Sequence, residues 1–391
     1  MTIDTVLADA REHLDSEGID GWLLYDYRGM NPIFWDTVEP IANVTRPCWL
    51  WVPSQGEPRL LLSYVDRGRF SHMDIDAVVF VSRGEMVARL GELLRGVGCV
   101  AMEYSPQGGL PRVSRVDAGT LELVRGLGVE VVSSADTVQY ATQRWSEAQL
   151  ASHTEAAAKL GVIVHAAFRS VGENLGSGVT EHDVAGLIRS MFVEGGLQVT
   201  DGPVVAVNEH SSDPHYEPTA ESSAPIGPGD WLLIDLWSRL DGDDTMFADI
   251  TWTAYVGDLV PEQHQRVFDA VIGSRDAAVD AIEAAFASGR ELQGWEVDRV
   301  ARDYISGAGY GGYFSHRLGH SLGREVHGNA VNLDGWETHD TRKLVSGIAV
   351  TVEPGVYLPE FGVRSEIDVY ISERGPRVTT EVQRSVVLIP G

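Results

Sequence analysis

The stretch WLLIDLWSRLDGDDTMFADITWTAYVG, residues 231–257, constrains the fold more than any other segment. Apolar residues flank two aspartates, and a polar DGDD sequence separates the two halves. The pattern predicts strands over 231–240 and 246–256 joined as a hairpin. Gly242 lies midway between Asp235 and Asp249. A hairpin symmetric about that glycine puts the two carboxylates directly opposite on one face, with Cβ atoms roughly 4.5–5.5 Å apart.

The same arithmetic applies to IAVTVEPGVYLPEFGVRSEIDVYIS, residues 348–372. Strands are expected over 347–358 and 362–371, about the turn signal LPEFG. Glu353 and Glu366 are equidistant from that turn and form a second expected cross-strand pair. Four carboxylates on apolar strands are costly, because buried like charges must take up protons or bind a cation.

A nitrogen donor is available in YFSHRLGHSLGREVHG, residues 313–328. Of the chain's 12 histidines, His316, His320 and His327 fall in this one stretch, so a quarter gather where glycines let backbone approach a site. REVH reads as a short strand-like segment leading to His327. An HExxH motif and a Cys/His set are absent, which argues against a structural zinc site. One nitrogen among many oxygens favours Mn²⁺, with Fe²⁺, Co²⁺ or Zn²⁺ as further choices.

At 391 residues the chain is too long for one ordinary core, and two domains are expected. Residues 1–140 alternate between strand-like runs (GWLLYDY, CWLWVP, RLLLSY, AVVFVS, CVAMEY) and helical periodicities, a small α/β domain. Residues 141–391 open on a long helix capped by Ser146, then a second capped by Thr180 with Asp183. Helices at 261–288 and 295–306 and strands at 203–208, 231–238 and beyond predict an α+β domain with an antiparallel sheet backed by helices. The boundary falls within 135–146.

A net charge of −27 disfavours nucleic acid and anionic membranes as partners. GxGxxG and GxxxxGK[ST] are missing, so a dinucleotide or phosphate site has little support. The N-terminal stretch is an amphipathic helix rather than a leader, and no apolar run approaches the roughly 20 residues of a membrane span. Cys48 and Cys99 sit in strand-like contexts as small hydrophobes of a reducing compartment, and a cytoplasmic location is expected.

The order of motifs resembles the "pita-bread" metallopeptidases, family M24: Asp235, then Asp249 in DIT, His320 in GHxLG, Glu353 in VEPGVY and Glu366 in GVRSE. The match covers roughly residues 150–391, and the small domain ahead of it resembles the branch of Xaa-Pro dipeptidases (prolidases), aminopeptidase P and creatinase. The resemblance implies two divalent metal ions held by Asp235, Asp249, His320, Glu353 and Glu366, with a bridging hydroxide as nucleophile and Glu353 as the proton acceptor. It implies that His215 in PHYEP, His316 and His327 act on the substrate side, that Arg364 supports the last glutamate, and that the chain forms a homodimer. The implied reaction is hydrolysis of Xaa-Pro bonds in dipeptides or at peptide N-termini. All five ligand positions are filled, against a metal-free, creatinase-like chemistry.

This chain departs from the family pattern at Trp237, where glycine is usual, and at Trp252, where arginine is common. Two other functions stay open on the residues: a dimetal enzyme acting on a non-peptide amide or amidine or in di-iron oxidation, and a binding module on the same scaffold.

Overall fold

The computed structural model describes residues 2–38, 41, 43–199 and 201–391. The chain forms two compact units, Met1–Arg144 and Trp145–Gly391.

The first unit runs α1 (Ile3–Glu17), β1 (Gly21–Tyr27), α2 (Pro32–Thr37), β2 (Pro47–Pro53), β3 (Arg59–Ser63), β4 (Asp76–Phe80), α3 (Arg83–Leu93), β5 (Cys99–Met102), α4 (Ala118–Gly126), β6 (Glu130–Ser133) and α5 (Ala135–Thr142). Its strands form one mixed sheet in the order β4-β3-β2-β1-β5-β6. Alternation along β1 sends Trp22 and Leu24 to a core with Val6, Leu7 and Leu14 of α1. Leu23 points the other way, to Leu90 of α3 and Val124 of α4. Helices therefore cover both faces, the α/β layout that the alternating pattern predicts. The sequence reading passed over β6, α2 and α5, which are too short for periodicity to register.

The second unit opens on α6 (Glu147–Asn174) and α7 (Glu181–Glu194). Ser146 with Gln149, and Thr180 with Asp183, form reciprocal capping boxes at their starts. Then follow β7 (Val204–Val207), β8 (Trp231–Ser238), β9 (Ala248–Val256), α8 (Glu262–Ala287), α9 (Gly294–Gly307), β10 (Ser321–Leu322), β11 (Ala349–Val352), β12 (Gly355–Leu358), β13 (Phe361–Arg364), β14 (Ile367–Ser372), β15 (Gly375–Val378) and β16 (Val387–Ile389). One sheet has the order β16-β9-β8-β7, a second β10-β11-β14-β15, and β12 pairs with β13 alone. Pairing is antiparallel apart from β16, which lies parallel to β9.

Ile234, Leu236, Ile250 and Trp252 face α6 and α7 in one core. Val350, Val352 and Val369 pack with α8 and α9 in another. Asp235, Asp249 and their strand neighbours at i+2 are left facing away from α6, on the inner side of the sheet. No helix among the described residues is long and apolar enough to cross a membrane.

The first hairpin departs from its expected register. Asp235 pairs with Thr251 and Asp249 with Trp237, so the aspartates are diagonal rather than opposite. The cause is the connection, which is a folded loop over 239–247 and not a tight turn about Gly242. Thr245 Oγ1 donates to the Leu240 carbonyl at 2.6 Å, and Arg239 bonds the carbonyls of Gly242 and Thr245. Met246 and Phe247, expected in the strand, instead bury with Trp145, Leu322 and Ala349. A slip of two residues preserves side-chain parity, so both acids keep one face.

The second hairpin keeps its register, since Val352 pairs with Ile367 and Gly355 with Arg364 on either side of the two glutamates. Each expected long strand is nevertheless two, broken between β11 and β12 and between β13 and β14. Pro354 has no N–H for the ladder, which interrupts the pairing there. REVH is not a strand; the short strand of that region is Ser321–Leu322.

Candidate metal centre

The break in the second hairpin is what presents its glutamates. Freed from pairing with each other, the N–H of Glu353 donates to the Leu318 carbonyl at 2.8 Å and that of Glu366 to the Thr251 carbonyl at 3.2 Å. Glu353 is thereby tied to the chain leading into His320, and Glu366 to β9.

His320 arrives through Gly319, where an added Cβ would lie 2.0 Å from the Thr351 carbonyl oxygen. Only glycine allows that approach. The His320 N–H then bonds Thr351 Oγ1 at 2.9 Å, and its Nε2 lies 3.4 Å from Glu353 Oε1 and 3.8 Å from Asp249 Oδ2.

Asp249, His320 and Glu366 each offer a ligand atom within 4.8 Å of the others, and all three are buried. Two threonines brace this group. Thr351 Oγ1 donates to Glu353 at 3.0 Å, and Thr251 Oγ1 donates to Glu366 at 2.7 Å. Thr251 Oγ1 also accepts from Arg364 Nε at 3.1 Å. Arg364 reaches Asp235 through Nη2 and the Tyr357 hydroxyl through Nη1.

The charges do not balance by themselves. Burial, then the carboxylates of Glu366 and Asp235, push the Asp249 carboxyl well above its usual range. Burial, then Glu353 and Asp235, do the same to Glu366. Burial raises Glu353 to about 7 even though Arg364 and Arg317 oppose the shift. Burial works against the charge of Arg364, but Tyr357, Asp235 and Glu353 outweigh it and hold the guanidinium cationic. Asp235 Oδ1 and Asp249 Oδ1 are buried with no hydrogen-bond partner. Bare oxygens, raised carboxyls and one imidazole nitrogen make a donor set that fits hard divalent cations.

The histidines divide. His316 uses both ring nitrogens: Nδ1 is 2.6 Å from the Arg317 carbonyl and Nε2 is 2.7 Å from the Tyr357 hydroxyl. Burial and Arg364 lower it to about 3, so it is neutral, with the proton on Nδ1 satisfying the carbonyl. His327 is exposed, its ring standing edge-on to His320 at 4.4 Å. His215 is exposed on the 208–216 segment, where its N–H bonds Asp213.

Sequence reasoning missed Tyr357, which links His316 to Arg364, and Asp368. Asp368 is fully buried, accepts the Asp249 N–H at 3.0 Å and leaves Oδ1 without a partner. Its signal was present: it follows Glu366 at i+2, the spacing of one strand face. It also missed Arg302, which pairs with Asp298 and bonds the carbonyls of Phe314 and His316.

The two tryptophans part company. Trp252 turns outward and meets His165 of α6 edge-on at 4.8 Å. Trp237 lies on the inner face beside Asp235 and opposite Asp249.

The sequence matches the model of metallopeptidase family M24 over residues 155–373. It is 32% identical over 227 residues to an Xaa-Pro dipeptidase of Lactobacillus helveticus, covering 57% of each chain. The chain spans a little over half the length of the curated relatives it matches. The fold is similar throughout to the crystal structure of dipeptidase PepE from Mycobacterium ulcerans, with TM-score 0.73 and 24% identity over 100% of this chain and 98% of that one. A prolidase from Thermococcus sibiricus aligns with TM-score 0.64 and 21% identity over 99% of both chains. An α/β unit followed by a pita-bread unit is thus the architecture, and the chain belongs to metallopeptidase family M24.

Proposed function

We propose that the chain is a hydrolase of Xaa-Pro bonds, in dipeptides or at peptide N-termini, dependent on two divalent ions. The observation that carries the reading is the convergence of Asp249, His320 and Glu366, with Glu353 3.4 Å from His320 and with bare buried oxygens on Asp235 and Asp249. Asp235, Asp249, His320, Glu353 and Glu366 would hold the ions. Such ions, when bound, polarise a carbonyl and make water nucleophilic near neutral pH.

The remaining work falls to the chain. Glu353 is assigned as the group that accepts a proton and hands it on at Oε2, since Oε1 is held by Thr351. Arg364 fixes Asp235 and keeps positive charge beside the carboxyls. His316 orients the Tyr357 hydroxyl, which Arg364 meets from its other side. His327, whose ring lies 4.4 Å from that of His320, and His215 are exposed and are assigned to the substrate side. Manganese as the ion, a homodimer and a cytoplasmic setting belong to the same reading.

The test is metal content together with cleavage of an Xaa-Pro panel. The manganese-loaded protein is expected to bind about two equivalents and release proline or an N-terminal residue. Glu353→Gln is expected to keep the fold and lose turnover roughly 10²-fold or more. Metal bound without cleavage of any Xaa-Pro peptide would overturn the peptidase reading, and unchanged turnover in Glu353→Gln the assigned base.

A further inference from the structure

Trp237 remains unexplained by the metal centre. It shares the inner face of the sheet with Asp235, Asp249 and Thr251. Across β7 and β8 the same face carries Val204, Ala206 and Leu233. This face therefore has an acidic half and an apolar half, and the apolar half is sealed: Val204, Ala206 and Leu233 are buried beneath Trp237 and Tyr216.

Both covering rings are fixed. The Tyr216 hydroxyl donates to the buried Glu181 carboxylate at 2.7 Å, and its ring stacks on His210 at 4.3 Å. The indole edge of Trp237 lies on Gly202, where a Cβ would be 2.6 Å from Cη2. It also packs against the buried cluster of Trp145, Met246, Phe247, Leu322 and Ala349, in which Leu322 lies two residues past His320. The indole thus joins two apolar clusters, that of Val204, Ala206 and Leu233 and that containing Leu322, and both it and Tyr216 are only half-buried.

We propose that Trp237, which covers the same apolar cluster as Tyr216, is the specificity-determining wall of the substrate site on the Asp235 side. It admits a small apolar group next to the scissile amide and excludes a bulky one. This rests on the metal-dependent reading above. A rigid wall discriminates by steric exclusion, and a misfit of a single methylene changes kcat/KM by roughly 10- to 200-fold.

The experiment compares wild type, Trp237→Ala and Trp237→Phe, each checked for bound manganese and a cooperative melt. Ala-Pro and Phe-Pro are the substrates. Acetohydroxamate and phenylacetohydroxamate, which chelate site metals whatever the natural substrate, are the binding probes. Wild type is expected to favour the small member of each pair, the preference falling at least about tenfold in Trp237→Ala and to an intermediate value in Trp237→Phe. An unchanged preference in both variants, with metal bound, overturns the proposal. Should Xaa-Pro peptides not be cleaved at all, the peptidase reading fails and the hydroxamate preference alone decides on Trp237. Absence of metal-dependent hydroxamate binding overturns both.

Discussion

Thr251, not Asp249, stands across the strand pair from Asp235, and its hydroxyl joins Glu366 to the guanidinium that holds Asp235. One neutral side chain therefore couples acids from two hairpins. Thr251→Val keeps the shape but removes the link, leaving Arg364 Nε without its acceptor. We expect a loss of about 1–3 kcal/mol in stability and weaker metal binding. Urea unfolding and metal titration check this; an unaltered metal affinity would contradict the bracing role.

Asp249→Asn tests the charge imbalance. Without metal the variant is expected to be more stable than wild type, because it removes a carboxyl that burial and Glu366 disfavour. With manganese at a hundredfold excess over Kd, wild type gains about 2.7 kcal/mol for each ion bound and the variant much less. Thermal melts with and without a chelator read both effects; a variant destabilised without metal and still stabilised by it would count against a cation site.

Tyr357→Phe separates orientation from metal binding. Its hydroxyl lies between His316 Nε2 at 2.7 Å and Arg364 Nη1 at 2.9 Å. Turnover is expected to fall roughly 10- to 100-fold while bound metal is unchanged. His327→Ala is expected to follow the same pattern, and His320→Ala to lose metal. Elemental analysis beside kcat distinguishes them, and metal loss in His327→Ala would make it a ligand.

Glu103 supplies a pH test in the first unit, which contributes none of the candidate metal ligands. It is fully buried, accepting from Trp22 at 2.6 Å, Asn31 at 2.8 Å and Ser134 at 3.2 Å. Burial outweighs these donors and raises it from 4.5 to about 7. The folded unit therefore binds a proton that the unfolded chain releases between those values. Its contribution is fully present below pH 4.5 and is lost as pH rises through 7, by at most about 3 kcal/mol. Hydrogen exchange of the β1 amides at pH 5 and 8 measures the slope, which Glu103→Gln should flatten.

Much of the architecture was legible in local pattern. The apolar residues flanking Asp235 over 231–238 identified a buried strand, and Ser146 and Thr180 marked helix starts as N-caps. Glu353 and Glu366 were correctly set in register because their hairpin turns tightly, Leu358 pairing with Phe361. Asp235 and Asp249 were not, because residues 239–247 fold against distant chain, the Phe247 N–H bonding the Gly323 carbonyl at 2.9 Å.

By itself the sequence determined where the two acidic hairpins lie, that each carries its acids on one face, and that a glycine precedes His320. These follow from periodicity and steric freedom, which act over a few neighbouring residues. Only the tertiary structure decided that Asp235 meets Thr251, that the second hairpin opens at Pro354 to turn its glutamates toward β9 and Leu318, and that Trp237 faces inward while Trp252 faces α6. Those outcomes depend on hydrogen bonds and packing between segments far apart in the chain, where no local rule sets the register.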